Sequence, residues 1–180
     1  MALQKICIFP QHKSELRKIS EPVCKFHIKV QHLIQDLNDT LKAYPEGIGL
    51  AASQINKHLR VIVVCLGDDS TGEWQAGPPV TMVNPLILDS SDKRKDFDGC
   101  LSFPGLYGET VRPHFLRLEG LDAGGCSMDQ IFEGLNAVVI HHEVDHLDGI
   151  LFIDRVEKIN DLYRVKENEQ GEWVRIPFEF

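Results

Sequence analysis

His142 and His146 stand four residues apart in the run Val139-Ile140-His141-His142-Glu143-Val144-Asp145-His146-Leu147. On a helix that spacing puts both imidazoles on one face, one turn apart. Two imidazoles so placed can hold one metal ion, and Glu143 beside them is a candidate general base for a water activated by that ion. The pattern is short, and a buried helix with two hydrogen-bonded histidines would satisfy it equally. The preceding residues favour the metal. Leu135, Val138 and Val139 lie on the stripe that His142, Glu143 and His146 continue, so one face passes from apolar to metal-binding along its length. Asp148-Gly149 supplies a helix stop.

Two histidines rarely complete a catalytic metal site, which commonly takes three protein ligands and leaves one position open. Cys100, in Asp98-Gly99-Cys100-Leu101-Ser102-Phe103-Pro104-Gly105, is the strongest candidate for the third. Glycine and proline on both sides let that backbone approach another element closely, and an accessible thiol beside a cation can ionise. A loop thiol with no role is the bland alternative. Asp145 and His141 adjoin the motif but point to other faces of the helix. Asp145 is better placed to orient an imidazole or anchor the helix.

The elements that must position these groups are readable in outline. Val30, Leu33, Ile34, Leu37 and Leu41 predict a helix over about 25–43, ended by Tyr44-Pro45. Residues 10–24 read as irregular, 60–66 as a buried strand and 67–79 as a polar loop. A strand over 80–88 is interrupted at Asn84-Pro85, and Lys93-Arg94-Lys95 between Asp92 and Asp96 reads as a solvated loop. Strands over 114–121 and 126–132 should form a hairpin around Asp122-Ala123-Gly124-Gly125. Short strands with one or two helices predict an α+β fold. A single domain over residues 1–180 is expected, with no role assigned to the charged tail 155–180.

The formal net charge of −8 argues against a nucleic-acid surface. No apolar run reaches the length of a membrane span, and the N-terminus carries no signal-peptide pattern, so a cytoplasmic protein is the expectation. Five cysteines, odd in number and widely spaced, argue against a disulfide framework.

Three segments together resemble the peptide deformylase family. They are Gly47-Ile48-Gly49-Leu50-Ala51-Ala52-Ser53-Gln54, Asp98-Gly99-Cys100-Leu101-Ser102 and His142-Glu143-Val144-Asp145-His146, in the family's order and at compatible spacing. The resemblance covers roughly residues 14–156. It implies antiparallel β-sheets packed around a central helix that carries the metal motif. It also implies an enzyme that removes the N-terminal formyl group from formylmethionyl peptides, including nascent chains at the ribosome, with a monomer expected. The implied ligands are Cys100, His142 and His146. The implied cofactor is one divalent transition metal, ferrous iron in the usual case, with zinc, nickel or cobalt able to replace it. Glu143 takes the role of proton shuttle, and the Gln54 amide and Leu101 N–H become the donors for a developing oxyanion. Gly47 and Gly49 would lie against the peptide, and Ile48, Leu135 and Val138 would wall a methionine pocket.

The sequence departs from the family at two positions. Asp98 stands where the family has glutamate, expected to pair with Arg112, so a carboxylate one methylene shorter must draw its loop inward or leave a gap for water. His141 stands where glutamine is common. Two other readings of the motifs remain at this point. A different His-Glu-x-x-His hydrolase would more usually take His or Glu as third ligand, and a structural zinc site would want a fourth protein ligand.

Overall fold

The computed structural model describes residues 3–68, 75–168 and 170–178. In chain order the elements are α1 (Lys13–Leu16), α2 (Ile28–Lys42), β1 (Gly49–Ala51), β2 (Val61–Asp68), β3 (Gln75–Gly99), β4 (Tyr107–Leu121), β5 (Ser127–Glu133), α3 (Gly134–Leu147), β6 (Leu162–Glu167) and β7 (Trp173–Pro177). All strand pairings are antiparallel: β1 with β2, β2 with β3, β3 with β4, β4 with both β5 and β6, and β6 with β7.

The long strand β3 joins two parts of one seven-stranded antiparallel sheet. Its first part pairs with β2 as far as Val83, opposite Val61, and from Val83 onward it pairs with β4, beginning opposite Leu121. The change occurs at Asn84-Pro85. Proline has no N–H for the ladder, and Asn84 takes a positive φ of 53°. The Asn84 side chain accepts from Val23 N at 2.7 Å and donates to Val23 O at 2.9 Å, which fixes the bend against the N-terminal segment.

The alternation of β2 divides the core. Val61 and Val63 pack with the α2 stripe, Val30, Leu33, Ile34, Leu37 and Leu41. Ile62 and Val64 face the other way, onto α3 and the β4–β5 side, among Leu116, Leu118, Phe132, Val139, Ile140 and Val144. The period of two therefore puts α2 on one side of β2 and α3 on the other, so α3 runs inside the molecule as a central helix. No side chain caps its N-terminus at Glu133, and Val138-Val139-Ile140 are weak helix formers, so burial is what holds it. It ends where the sequence indicates, with Asp148 as C-cap.

Several expectations need correction. Lys93-Arg94-Lys95 is not a loop: it is paired in β3 opposite Pro113, Arg112 and Val111. Its side chains are solvated, but its backbone continues a two-stranded ribbon, and an all-polar run gives no alternation to reveal that. The segment 67–79 contains strand at both ends, Gly67–Asp68 and Gln75–Pro79; residues 69–74 lie outside the described set. β4 starts seven residues before the predicted His114, at Tyr107. The region 10–24 contains the short helix α1, and the charged tail forms the β6–β7 hairpin. All five cysteines are free thiols.

Candidate active site

β3 ends at Gly99, so Cys100 begins the loop that returns as β4, directly opposite the buried face of α3. The Cys100 Sγ lies 3.2 Å from His146 Nε2, and the ligand atoms of Cys100, His142 and His146 all lie within 4.8 Å of one another. Cys100 is half-buried, less accessible than a loop position suggests, because it packs against the core cluster that contains Phe103 and Phe152. A thiol and two imidazoles converging on one point suit a first-row transition ion, with room left for a fourth, non-protein ligand.

The orientation of His142 supports that fit. Its Nδ1 lies 2.9 Å from Asp98 Oδ1. A carboxylate only accepts, so Nδ1 donates to it and Nε2 is the nitrogen an ion would take. Burial opposes the charged ring, but Asp98 holds the metal-free imidazole well above its ordinary pKa, so metal binding would displace a proton from Nε2. Burial alone would raise the Asp98 carboxyl, but His142 and Arg112 outweigh it and hold the group well below the usual carboxylate range. Burial lowers His146, with His142 and Arg112 adding to the effect, which keeps that imidazole neutral and able to ligate.

Behind these residues, Arg112 is 1% exposed, hydrogen-bonds Asp98, Asp145 and His141, and lies against His142 without a bond to it. Its Nε donates to Asp98 Oδ2 at 2.6 Å and its Nη1 to Asp145 Oδ2 at 2.8 Å. The same Nη1 is 2.8 Å from His141 Nδ1, and Nη2 is 3.2 Å from His142 Nδ1. Asp145 also accepts from Arg155 Nε at 3.0 Å and Nη2 at 2.6 Å, so it anchors the helix rather than orienting a ligand imidazole. His141 Nδ1 faces the Arg112 donor at 2.8 Å and the Asp145 carboxylate at 3.5 Å, and burial first, with Arg112 also contributing, brings its pKa down to about 4 against an opposing pull from Asp145. It accepts as a neutral ring, a role the sequence did not disclose. Thr110 Oγ1 donates to Asp98 Oδ2 at 2.9 Å and was also missed. The signal was available, because Thr110 and Arg112 share one face of β4 under the period of two.

Asp98 thus reaches Arg112, Thr110 and His142 directly, with no gap from its shorter side chain. Asp98→Glu is accordingly expected to crowd a filled site, lowering stability by about 1–3 kcal/mol without raising kcat. Thermal melts and steady-state rates check this; an unchanged Tm with faster turnover would show that the site has slack.

Glu143 is buried at 4% exposure and points past the ligands toward β1. A Cβ at Gly49 would sit 2.8 Å from Glu143 Cδ, so only glycine lets the strand and the carboxylate approach this closely. Burial raises the Glu143 pKa to about 7, with His142 pulling down and Asp98 pushing up. Gln54 Oε1 accepts from Ala51 N at 2.8 Å, which turns its Nε2 toward Ser102 Oγ at 3.2 Å and Cys100 Sγ at 3.6 Å.

A cavity of about 810 Å³ opens onto these groups. It is lined by Gly47, Ile48, Gly49, Leu135 and Val138, together with Gln54, Cys100, Leu101, His142 and Glu143. Val139, Phe97 and Tyr107 also line it, and sequence reading alone did not assign them to it. Arg112 and Asp145 stay behind the ligands, outside the lining.

This fold, with a Cys-His-His donor set and a buried carboxylate at an apolar cavity, defines a metal-dependent hydrolase. Residues 3–161 match the family model described as polypeptide deformylase. The chain is 35% identical over 184 residues to a peptide deformylase of Psychrobacter arcticus, covering 97% of this chain and 95% of that one. It is 37% identical to a solved peptide deformylase from Legionella pneumophila, with a TM-score of 0.74 and 87% of each chain covered. A peptide deformylase from Ehrlichia chaffeensis in complex with actinonin gives 33% identity and a TM-score of 0.78 over 88% of this chain and 91% of that one. The chain belongs to the polypeptide deformylase family. Its reaction is removal of the formyl group from N-formylmethionine peptides.

Proposed function

We propose that Cys100, His142 and His146 hold one ferrous ion, for which zinc, nickel or cobalt can substitute, and that Glu143, Gln54 and Leu101 carry out the deformylation around it. The convergence of the three ligand atoms carries this reading. When bound, the ion supplies polarisation of the formyl carbonyl and lowers the pKa of water. Glu143 takes the proton from the attacking water and delivers it to the leaving amine, and a carboxyl with a pKa near 7 suits both halves of that task. Gln54 Nε2, already aimed at the Cys100 sulfur, and the Leu101 N–H donate to the oxyanion as it develops; two such fixed donors are worth several kcal/mol of barrier.

Ile48, Leu135 and Val138, joined by Val139, form the wall for the methionine side chain. Among the described residues β1 pairs with β2 alone, and its other edge at Gly49, with Gly47 and Ile48 leading into it, receives the peptide backbone as an added strand. The substrate is a product of translation, so the enzyme works in the cytoplasm on nascent chains emerging from the ribosome. No described helix is long and apolar enough to cross a membrane.

The test is metal analysis of protein purified without air, alongside formate release from formyl-Met peptides. Cys100→Ala is expected to lose most bound metal and most activity together. Full metal content in that variant would overturn the ligand assignment. A metal-loaded native protein that releases no formate would overturn the function.

A further inference from the structure

The β6–β7 hairpin begins at Leu162, just beyond residues 3–161 that match the family model. It joins the sheet at one place, where β6 pairs with β4 at Tyr107 and Gly108. That junction places one row of residues across four strands: Gly99 on β3, Tyr107 on β4, Tyr163 on β6 and Pro177 on β7. Phe97 and Arg175, each two residues along its own strand, project from the same face.

These side chains form a continuous stack. The Phe97 and Tyr107 rings lie 5.5 Å apart at 27°, and the Tyr107 and Tyr163 rings 6.4 Å apart at 27°. The Arg175 guanidinium covers the far ring, 4.3 Å from the Tyr163 centroid, and its Nη1 donates to Glu109 Oε1 at 2.7 Å. Burial is graded along the stack: Tyr163 is 5% exposed, Tyr107 half-buried and Phe97 52% exposed. Gly99 makes room for it, since a Cβ there would sit 2.9 Å from Tyr107 Cδ1. Phe97, Gly99 and Tyr107 line the catalytic cavity, whereas Tyr163 and Arg175 lie outside it.

We propose that the hairpin, through Tyr163 and Arg175, fixes the aromatic lip Phe97–Tyr107 over which the peptide chain leaves the catalytic cavity, and so sets a preference for apolar or aromatic side chains beyond the first residue of the substrate. This rests on the deformylase reading of the cavity. Phe97 is too exposed to be held by the core, and Tyr107 has an aromatic neighbour on each side. The buried Tyr163 ring is therefore the fixed end against which the other two are aligned. Tyr163 and Arg175 are positioning residues: they touch neither the metal ligands nor the cavity.

The experiment compares kcat and KM for two substrates, N-formylmethionine amide and formyl-Met-Leu-Phe amide, in the full-length metal-loaded enzyme. Tyr163→Leu is expected to raise KM for the longer peptide roughly three- to tenfold while leaving kcat and the shorter substrate unchanged. Tyr163→Phe keeps the ring and should match the unmodified enzyme. Arg175→Ala removes the covering cation without emptying the core and should shift KM the same way by a smaller factor, which decides the matter if Tyr163→Leu folds poorly. An equal loss on both substrates, or no change in the longer one in either Tyr163→Leu or Arg175→Ala, would overturn the proposal. Release of formate from neither substrate by the unmodified enzyme would overturn the deformylase reading itself, and this inference with it.

Discussion

Arg112→Ala is expected to destabilise the protein by about 3–5 kcal/mol, the cost of stranding buried charges whose partner is gone. Arg112 lies between Asp98 and Asp145, each about 6% exposed as a side chain. Asp145 would keep Arg155, but Asp98 would retain only His142 and Thr110. At this chain length the loss corresponds to a fall in Tm of roughly 6–20 °C, measurable by calorimetry of the metal-loaded protein. The exposed pair Arg117–Asp129, with both side chains about half-exposed, is the internal control: Arg117→Ala should leave Tm nearly unchanged, because solvent screens the pair. A loss below 1 kcal/mol at Arg112 would mean that water already screens the network.

Glu143→Gln is expected to keep the metal and lower kcat roughly 10²-fold or more, because the amide can neither accept nor return a proton. Loss of metal in that variant would make Glu143 a ligand and overturn its assigned role. The same variant has a second readout in metal-free protein. The folded carboxyl titrates at about 7 against an ordinary value of 4.5. Between those values the folded state holds a proton that the unfolded state has released, so stability falls as pH rises through that window. Glutamine removes this linkage. Metal-free Glu143→Gln should therefore be more stable than the metal-free parent at pH 8, by roughly 2–3 kcal/mol, and the difference should vanish below about pH 4.5. Equal stability at both pH values would show that Glu143 is solvated.

What the sequence disclosed, and what it withheld, follows from the range over which each signal acts. The helix that carries His142 and His146 was legible because i, i+4 histidines and an apolar stripe are local facts about one helix. The Asp122–Gly125 turn and the alternation in β2 were legible for the same reason. The strand through Lys93–Lys95 was not, because its pairing with β4 is set by a partner strand and leaves no apolar period of its own. His141 was read as leaving the metal face, which is correct for the helix alone. Its contact with Arg112 depends on how β4 crosses α3. The cavity lining divides the same way. Ile48, Leu135 and Val138 come from recognisable motifs, whereas Phe97 and Tyr107 face the cavity only because β3 and β4 run side by side up to the Cys100 loop.

The bend of β3 at Asn84-Pro85 has a mechanical consequence. One uninterrupted strand carries both the β2-paired and the β4-paired part of the single sheet, with α2 packed on one face of β2 and α3 on the other. The two parts of the sheet then have no seam about which to swing, and prising them apart would break the ladder on one side of Val83 or the other. An enzyme built this way does not close over its substrate like a pair of hinged lobes. Cys100, His142 and His146 converge within this one framework, so their spacing is set by the continuous sheet and the helix packed on it rather than by a hinge.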